Sequence, residues 1–403
     1  MHFQEFRKAG NPRVLFSSFL YFDVSFMAWV MLGALATFIA DDLGLSAAQK
    51  GMVAAIPLLA GSAFRLVLGA LADLIGSRRT GIVGLGLTTV PLLFGWLAAD
   101  SIGELYLMGI MLGVAGASFA VALPLASRWY PPEHQGLAMG IAGAGNSGTV
   151  FSALFAPRLA EQFGWQAVFG FALIPTLITL LVFVLLARDA PGKRTRPGFG
   201  AYVSGLRRPE TLWFALLYGV TFGGFVGLSS YLGILFRDEY GVSRVHAGDL
   251  TAACVLAGSG LRPIGGAIAD RTGGLTVLTA VLAVVAVLFV ALAAVPPLWL
   301  AVPLLILVMG VLGMGNGSVF QMIPQVFGRE IGAITGIVGA AGGVGGFYLP
   351  NVLGSLREST GSFGPGFLAF GALATIALVA ALSGRERIGS RLASQRAVAT
   401  STS

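Results

Sequence analysis

Apolar runs of about 18 residues or more recur along the whole 403-residue chain, and they leave few folds open. Each run can cross a ~30 Å hydrocarbon core as a helix, in which the backbone satisfies its own hydrogen bonds. Only 11% of residues are charged against 56% hydrophobic, with a mean hydropathy of +0.85. A soluble domain of this length would have too little polar surface to cover itself. The chain therefore reads as an all-α polytopic membrane protein.

Twelve spans are predicted, at roughly 14–40, 48–73, 80–99, 104–128, 136–160, 165–187, 211–236, 245–270, 274–295, 300–326, 331–355 and 364–383. A Pro/Gly/Arg-rich segment at 188–210 separates an N-terminal six-helix bundle (1–187) from a C-terminal one (211–383) and is expected to be a linker. A Ser/Arg/Ala-rich tail at 384–403 is expected to be disordered. By loop position, 18 Lys/Arg fall on the side of the termini, 5 on the other side and 2 within spans. This asymmetry predicts a multi-pass protein of the plasma (inner) membrane with both termini cytoplasmic. It also explains the net charge of +7 without nucleic acid, because the basic residues sit in short loops on one side. No cleaved signal is expected at the N-terminus.

The two halves repeat each other. Gly113-Val114-x-Gly116 recurs 197 residues later as Gly310-Val311-x-Gly313, and Gly140-Ile141-x-Gly143-Ala144 recurs 196 later as Gly336-Ile337-x-Gly339-Ala340. Such repeats suit a carrier whose bundles rock about a site at their interface.

Two arginines stand where the bilayer core should be. Arg65 lies eight residues before Asp73, and Arg262, 197 residues later, lies eight before Asp270. Eight residues of helix span ~12 Å, which places both guanidiniums near mid-membrane if the aspartates mark a mouth. An arginine at that depth costs ~3 kcal/mol or more, and snorkelling from there is poor. Asp23 is the only carboxylate that could lie as deep, and one carboxylate cannot neutralise two guanidiniums. The pair points to an anion between them, with structural pairing as the other reading. A planar, always-protonated guanidinium fork suits a small planar oxyanion. Lys8, Lys50 and Lys193, and all three histidines, fall outside the middle of the spans. Single Cys254 excludes an intrachain disulfide; no metal site or cofactor is implied, and no mid-span cluster suits an enzyme.

Glycine runs in spans five (Gly143, Gly145, Gly148) and eleven (Gly339, Gly342, Gly343, Gly345, Gly346) read as close helix packing, or as exposed backbone along a narrow path. A phosphate loop is excluded, because neither is followed by Lys-Ser/Thr. Asn146 within the first run would then offer amide donors to the anion. Tyr218 and Phe222 share one face of span seven at i,i+4 and either pack or serve the site. In span ten, Asn316, Ser318 and Gln321 read as helix–helix glue or site lining. Asp23 reads as a partner for nearby polar groups or as a proton-coupling group.

Arg-x-x-x-Gly-Ala-Leu-Ala-Asp-x-x-Gly-x-Arg-Arg resembles the loop 2–3 signature of the major facilitator superfamily. With both arginines and both glycine runs, the chain resembles the nitrate/nitrite porter family across essentially all twelve helices. The resemblance implies that Arg65 and Arg262 clamp nitrate or nitrite, that Asn146 and Tyr218 hydrogen-bond it, and that Phe119 and Phe222 sandwich it. It places Asp73, Arg78, Arg79, Asp270 and Arg271 at a cytoplasmic gate. The second copy has Thr272-Gly273-Gly274 where the first has charges, so its gate is expected to be less charged. The implied function is alternating-access transport of nitrate and/or nitrite, by antiport or proton symport. The implied partners are the two anions and the lipid bilayer, with no nucleic acid, and the carrier is expected to work as a monomer. The rival readings are a carrier of a carboxylate or phosphate, and a membrane nitrate sensor.

Overall fold

The computed structural model describes residues 3–191, 204–327 and 331–385. The middle of the expected linker (192–203) and most of the expected tail (386–403) lie outside these. A short helix at Phe3–Ala9, which no apolar pattern announces, precedes the spans.

Among the described residues, eleven helical stretches are long and apolar enough to cross a membrane. Two contain a break: span one, Pro12–Trp29 and Met31–Leu43, and span four, Ile102–Gly116 and Phe119–Ser127. Span five makes the twelfth crossing in pieces: Pro132–Gly143, a 3₁₀ turn at Ala144–Ser147, and Gly148–Phe163. The others are two (Ala47–Ile75), three (Ser77–Leu97), six (Trp165–Leu186), seven (Pro209–Tyr240), eight (Arg244–Thr272), nine (Gly274–Ala293), ten (Leu298–Phe327), eleven (Ile331–Thr360) and twelve (Gly364–Ser383). Several outrun their predicted ends. Span seven begins inside the expected linker, because Pro209 at its first turn needs no hydrogen-bonded N–H.

The repeat is carried into the backbone. Spans two and eight each have 29 residues, open on serine caps (Ser46, Ser243), and end at glycines with φ of 98° and 92° (Gly76, Gly273). A side chain would strain that left-handed conformation, so glycine ends both helices sharply before the next span.

The halves meet where small residues let backbones touch. A Cβ at Gly33 of span one would overlap the Ser230 carbonyl of span seven. One at Gly51 of span two would stand 2.5 Å from the Pro350 carbonyl of span eleven, and one at Gly248 of span eight 2.5 Å from Ala153 of span five. Without a hydrophobic drive between helices in lipid, such close packing supplies the association energy.

Twelve crossings place the start of span one and the end of span twelve on one face. On the opposite, far face, polar ties join the halves: Lys50 to Asp238 at 2.5 Å, Arg158 to Asp249 at 2.7 Å, and Arg244 to Asp41. Glu358 of span eleven also accepts from Ser46 Oγ (2.6 Å) and the Ala48 N–H (2.7 Å) at the start of span two. Together these ties hold the far face shut.

Candidate functional site

Pro57, Gly61 and Arg65 follow one another at i,i+4 on one face of span two. The Trp29 indole packs on Gly61, where a Cβ would sit 2.8 Å from its ring, and donates to the Pro57 carbonyl at 2.7 Å. This fixes a floor one turn below Arg65. The guanidinium carbon then lies 5.1 Å from the Trp29 ring centre, 5.1 Å from Phe222 and 5.6 Å from Phe119. Ring faces attract the cation, but they do not neutralise it.

The break in span four supplies a further partner. Ala120 N–H turns to Ala117 (3.0 Å), which releases the Gly116 carbonyl from the helix ladder. Arg65 Nε donates to that carbonyl at 3.0 Å. Nη1 donates across the interface to the Gly339 carbonyl of span eleven, while Nη2 has no hydrogen-bond partner. Arg65 is 1% exposed, so this free donor is buried.

Arg262 is 8% exposed, and its Nη1 is also without a partner. A Cβ at Gly143 would lie 3.9 Å from its Nη2, so the glycine run of span five forms the wall it faces. The two arginines are close enough to repel each other, and the Tyr218 hydroxyl lies within electrostatic reach of both. Tyr218 Oη forms no hydrogen bond. Its ring stacks on Phe222 at 5.0 Å and meets Phe320 edge-on at 4.8 Å. Phe320 in turn touches Phe119 at 5.3 Å. Among the described residues, no carboxylate lies within ion-pair distance of either arginine.

Arg65, Arg262, Tyr218, Phe222 and Phe119 thus come together. Asn146 is fully buried on the span-five wall, but its NH₂ is best oriented to donate to the Gly143 (3.0 Å) and Ala144 (3.3 Å) carbonyls. Its donors brace the broken turn rather than point to the centre. Asp23, 6% exposed, accepts from Ser147 Oγ at 2.7 Å in the same turn. Gly145 and Gly148 let span five lie on the Asp23 backbone, where a Cβ at Gly148 would overlap the Asp23 carbonyl. In span eleven, Gly342 makes room for Tyr218 and Phe222, Gly343 for Ser62, Gly345 for the Gly219 carbonyl and Gly346 for Val226. The glycines therefore serve packing, and Gly339 lends its carbonyl to Arg65 as well.

The charges expected at the first gate are engaged within their own half. Asp73 pairs with Arg128 at 3.2 Å, and Arg78 donates through its backbone to Asp189 (3.1 Å) and through Nη2 to the Val184 carbonyl (2.9 Å). Arg79, Asp270 and Arg271 are exposed, and among the described residues no hydrogen bond or ion pair engages their side chains. Sequence reasoning missed Trp29 and the Gly116 carbonyl. The signal for the tryptophan was present, since Phe22, Phe26 and Trp29 form an aromatic stripe at i, i+4, i+7 with centroids 4.3 and 4.8 Å apart.

Residues 17–350 match the Major Facilitator Superfamily. The nitrite extrusion protein of Bacillus subtilis is 34% identical over 367 residues, covering 90% of this chain and 92% of that one. The chain belongs to the nitrate/nitrite porter family of the major facilitator superfamily. The porter is also 37% identical to the probable nitrate/nitrite transporter NarK2 of Mycobacterium tuberculosis (strain ATCC 25618 / H37Rv), over 83% of this chain and 86% of the relative. It is 32% identical to the probable nitrate/nitrite antiporter NarK1 of Thermus thermophilus, over 89% and 88%. The human organic anion transporter MFSD10 superposes with a TM-score of 0.71 at 16% identity, covering 92% of this porter and 99% of that chain, which bears on the fold alone. Members are carriers, not enzymes.

Proposed function

We propose that this porter moves nitrate and nitrite across the plasma (inner) membrane by alternating access, with both termini cytoplasmic and the monomer as the working unit. One observation carries the reading: two buried guanidiniums face each other with no counter-charge, and each keeps a free N–H group. Unpaired buried charge is strongly unfavourable, and a small planar oxyanion between the two forks would relieve it. The aromatic walls of Phe119 and Phe222 would flank its apolar faces, and Tyr218 Oη would donate to an oxygen.

The same repulsion argues for exchange. Without an anion the repulsion would work against the Arg65–Gly339 contact that joins the halves at that level, whereas an anion would remove it, so the unloaded carrier would return slowly. Nitrite released on one side would then be traded for nitrate from the other. Asp23 beside the broken turn supplies the second reading, in which a proton accompanies the anion.

The test replaces Arg262 by lysine, which keeps the charge and removes the fork. In proteoliposomes, R262K should raise the KM for nitrate by tenfold or more, in line with the ~1.5–3 kcal/mol of a lost charged hydrogen bond. Unaltered nitrate uptake would end the clamp reading. Nitrite-loaded vesicles and vesicles under an imposed proton gradient separate exchange from symport.

A further inference from the structure

We infer that Asn316 of span ten is a further anion ligand, set beside Arg262 to donate an amide N–H to an oxygen of the bound nitrate or nitrite. The inference rests on the anion-carrier reading above and adds a hydrogen-bonding group to it.

Asn316 is 0% exposed, and neither Nδ2 nor Oδ1 has a hydrogen-bond partner. An amide buried in a membrane protein with both ends unsatisfied is expensive, and helix–helix glue would show a partner across the contact. Its height is set by the next residue: a Cβ at Gly317 would overlap the carbonyl of Arg262 and lie 2.8 Å from the Gly266 nitrogen. Its direction is set by its own helix. Leu312, one turn before, packs on Gly224 of span seven, and Phe320, one turn after, touches Tyr218 and Phe119. Asn316 lies between these on the same face, at the level of Arg262.

The repeat strengthens the placement. Subtracting 197 from Asn316 gives Phe119, as Arg262 gives Arg65. Phe119 lies against Arg65, with ring centre and guanidinium carbon 5.6 Å apart. The same relation sets Asn316 toward Arg262, with span ten running unbroken where span four breaks at Ala117 and Ser118. The two arginines therefore differ in company. Arg65 is held by three rings and two carbonyls, whereas Arg262 has the amide where its counterpart has a ring. Asn316 Oδ1 can accept from the unpartnered Arg262 Nη1, which turns Nδ2 toward the anion and leaves the single Tyr218 proton for it.

The full-length porter in proteoliposomes tests this with Asn316→Leu and Asn316→Asp. Wild type must first take up nitrate, and its failure to do so would overturn the carrier reading rather than the Asn316 assignment. N316L should raise the KM for nitrate about tenfold with the maximal rate within about twofold. Nitrate should also lose its stabilising effect on N316L in detergent, while the midpoint without nitrate stays near wild type. In N316D, nitrate affinity should fall as pH rises from about 5 to 8, as the new carboxylate ionises beside the anion. If N316L does not fold, N316D carries the comparison through its pH dependence. Overturning results are an unchanged KM in folded N316L, a nitrate affinity of N316D that tracks wild type across pH, or a lowered midpoint with the nitrate shift intact.

Discussion

Neutralising Asp238 should unlatch the far face. Its carboxylate holds Lys50 Nζ at 2.5 Å, with the two side chains 20% and 17% exposed. A fully exposed pair contributes roughly 0.2–1 kcal/mol. Breaking a fully buried pair loses about 3–5 kcal/mol. This pair lies between those limits, so Asp238→Asn should remove ~1–2 kcal/mol from the far-face-closed state. That is about a 5- to 30-fold change in the ratio of closed to open carriers. Arg158 and Asp249, at 42% and 37% exposed, should contribute less. The assay is a distance distribution between spin labels on Asp100→Cys and Pro297→Cys, exposed far-face positions in opposite halves. Cys254 is buried and stays unlabelled. The longer-distance population should grow in D238N, and added salt should move wild type in the same direction but the variant less. An unchanged distribution in D238N, with the labels still responding to nitrate, would refute the latch.

Gly148→Ala should destabilise the porter by ~1–3 kcal/mol or more, because the added Cβ meets the Asp23 carbonyl rather than a flexible side chain; a thermal midpoint equal to wild type would contradict that contact. Asp23→Asn keeps an acceptor for Ser147 Oγ at 2.7 Å, so nitrite counterflow should persist. Any uptake driven by an imposed proton gradient should disappear in it, and its survival would leave Asp23 as a brace for the broken turn alone.

The parts of this porter that were legible in the sequence are those that local rules write directly. Arg65 and Arg262 stand out because a charge in an apolar run is conspicuous, and the constant spacing of 197 carries their relation into three dimensions. Helix ends at Gly76 and Gly273 follow from glycine's freedom at positive φ. The break in span four was not legible, since Gly-Ala-Ser-Phe at 116–119 reads equally well as continuous helix, yet it is what frees the Gly116 carbonyl. Nor was the direction of the Asn146 amide, which depends on carbonyls exposed only once span five breaks. The far-face pairs join residues such as Lys50 and Asp238 whose spacing carries no periodic signal. Asp73 finding Arg128 has the same cause, because two helices must be packed before either charge has a neighbour.

Glu358 gives span two a lid borrowed from the other half. The helix does not depend on it, because Ser46 and Gln49 already close a capping box, with Gln49 Oε1 accepting the Ser46 N–H at 2.9 Å and Ser46 Oγ accepting from Gln49 at 3.3 Å. If the halves part as proposed, the borrowed lid would leave and the resident one would stay. Span two can therefore swing as a rigid rod, with no fraying at the end that has just lost its neighbour. The rearrangement would then be confined to contacts between bodies, and the helix that carries Arg65 would move without unwinding.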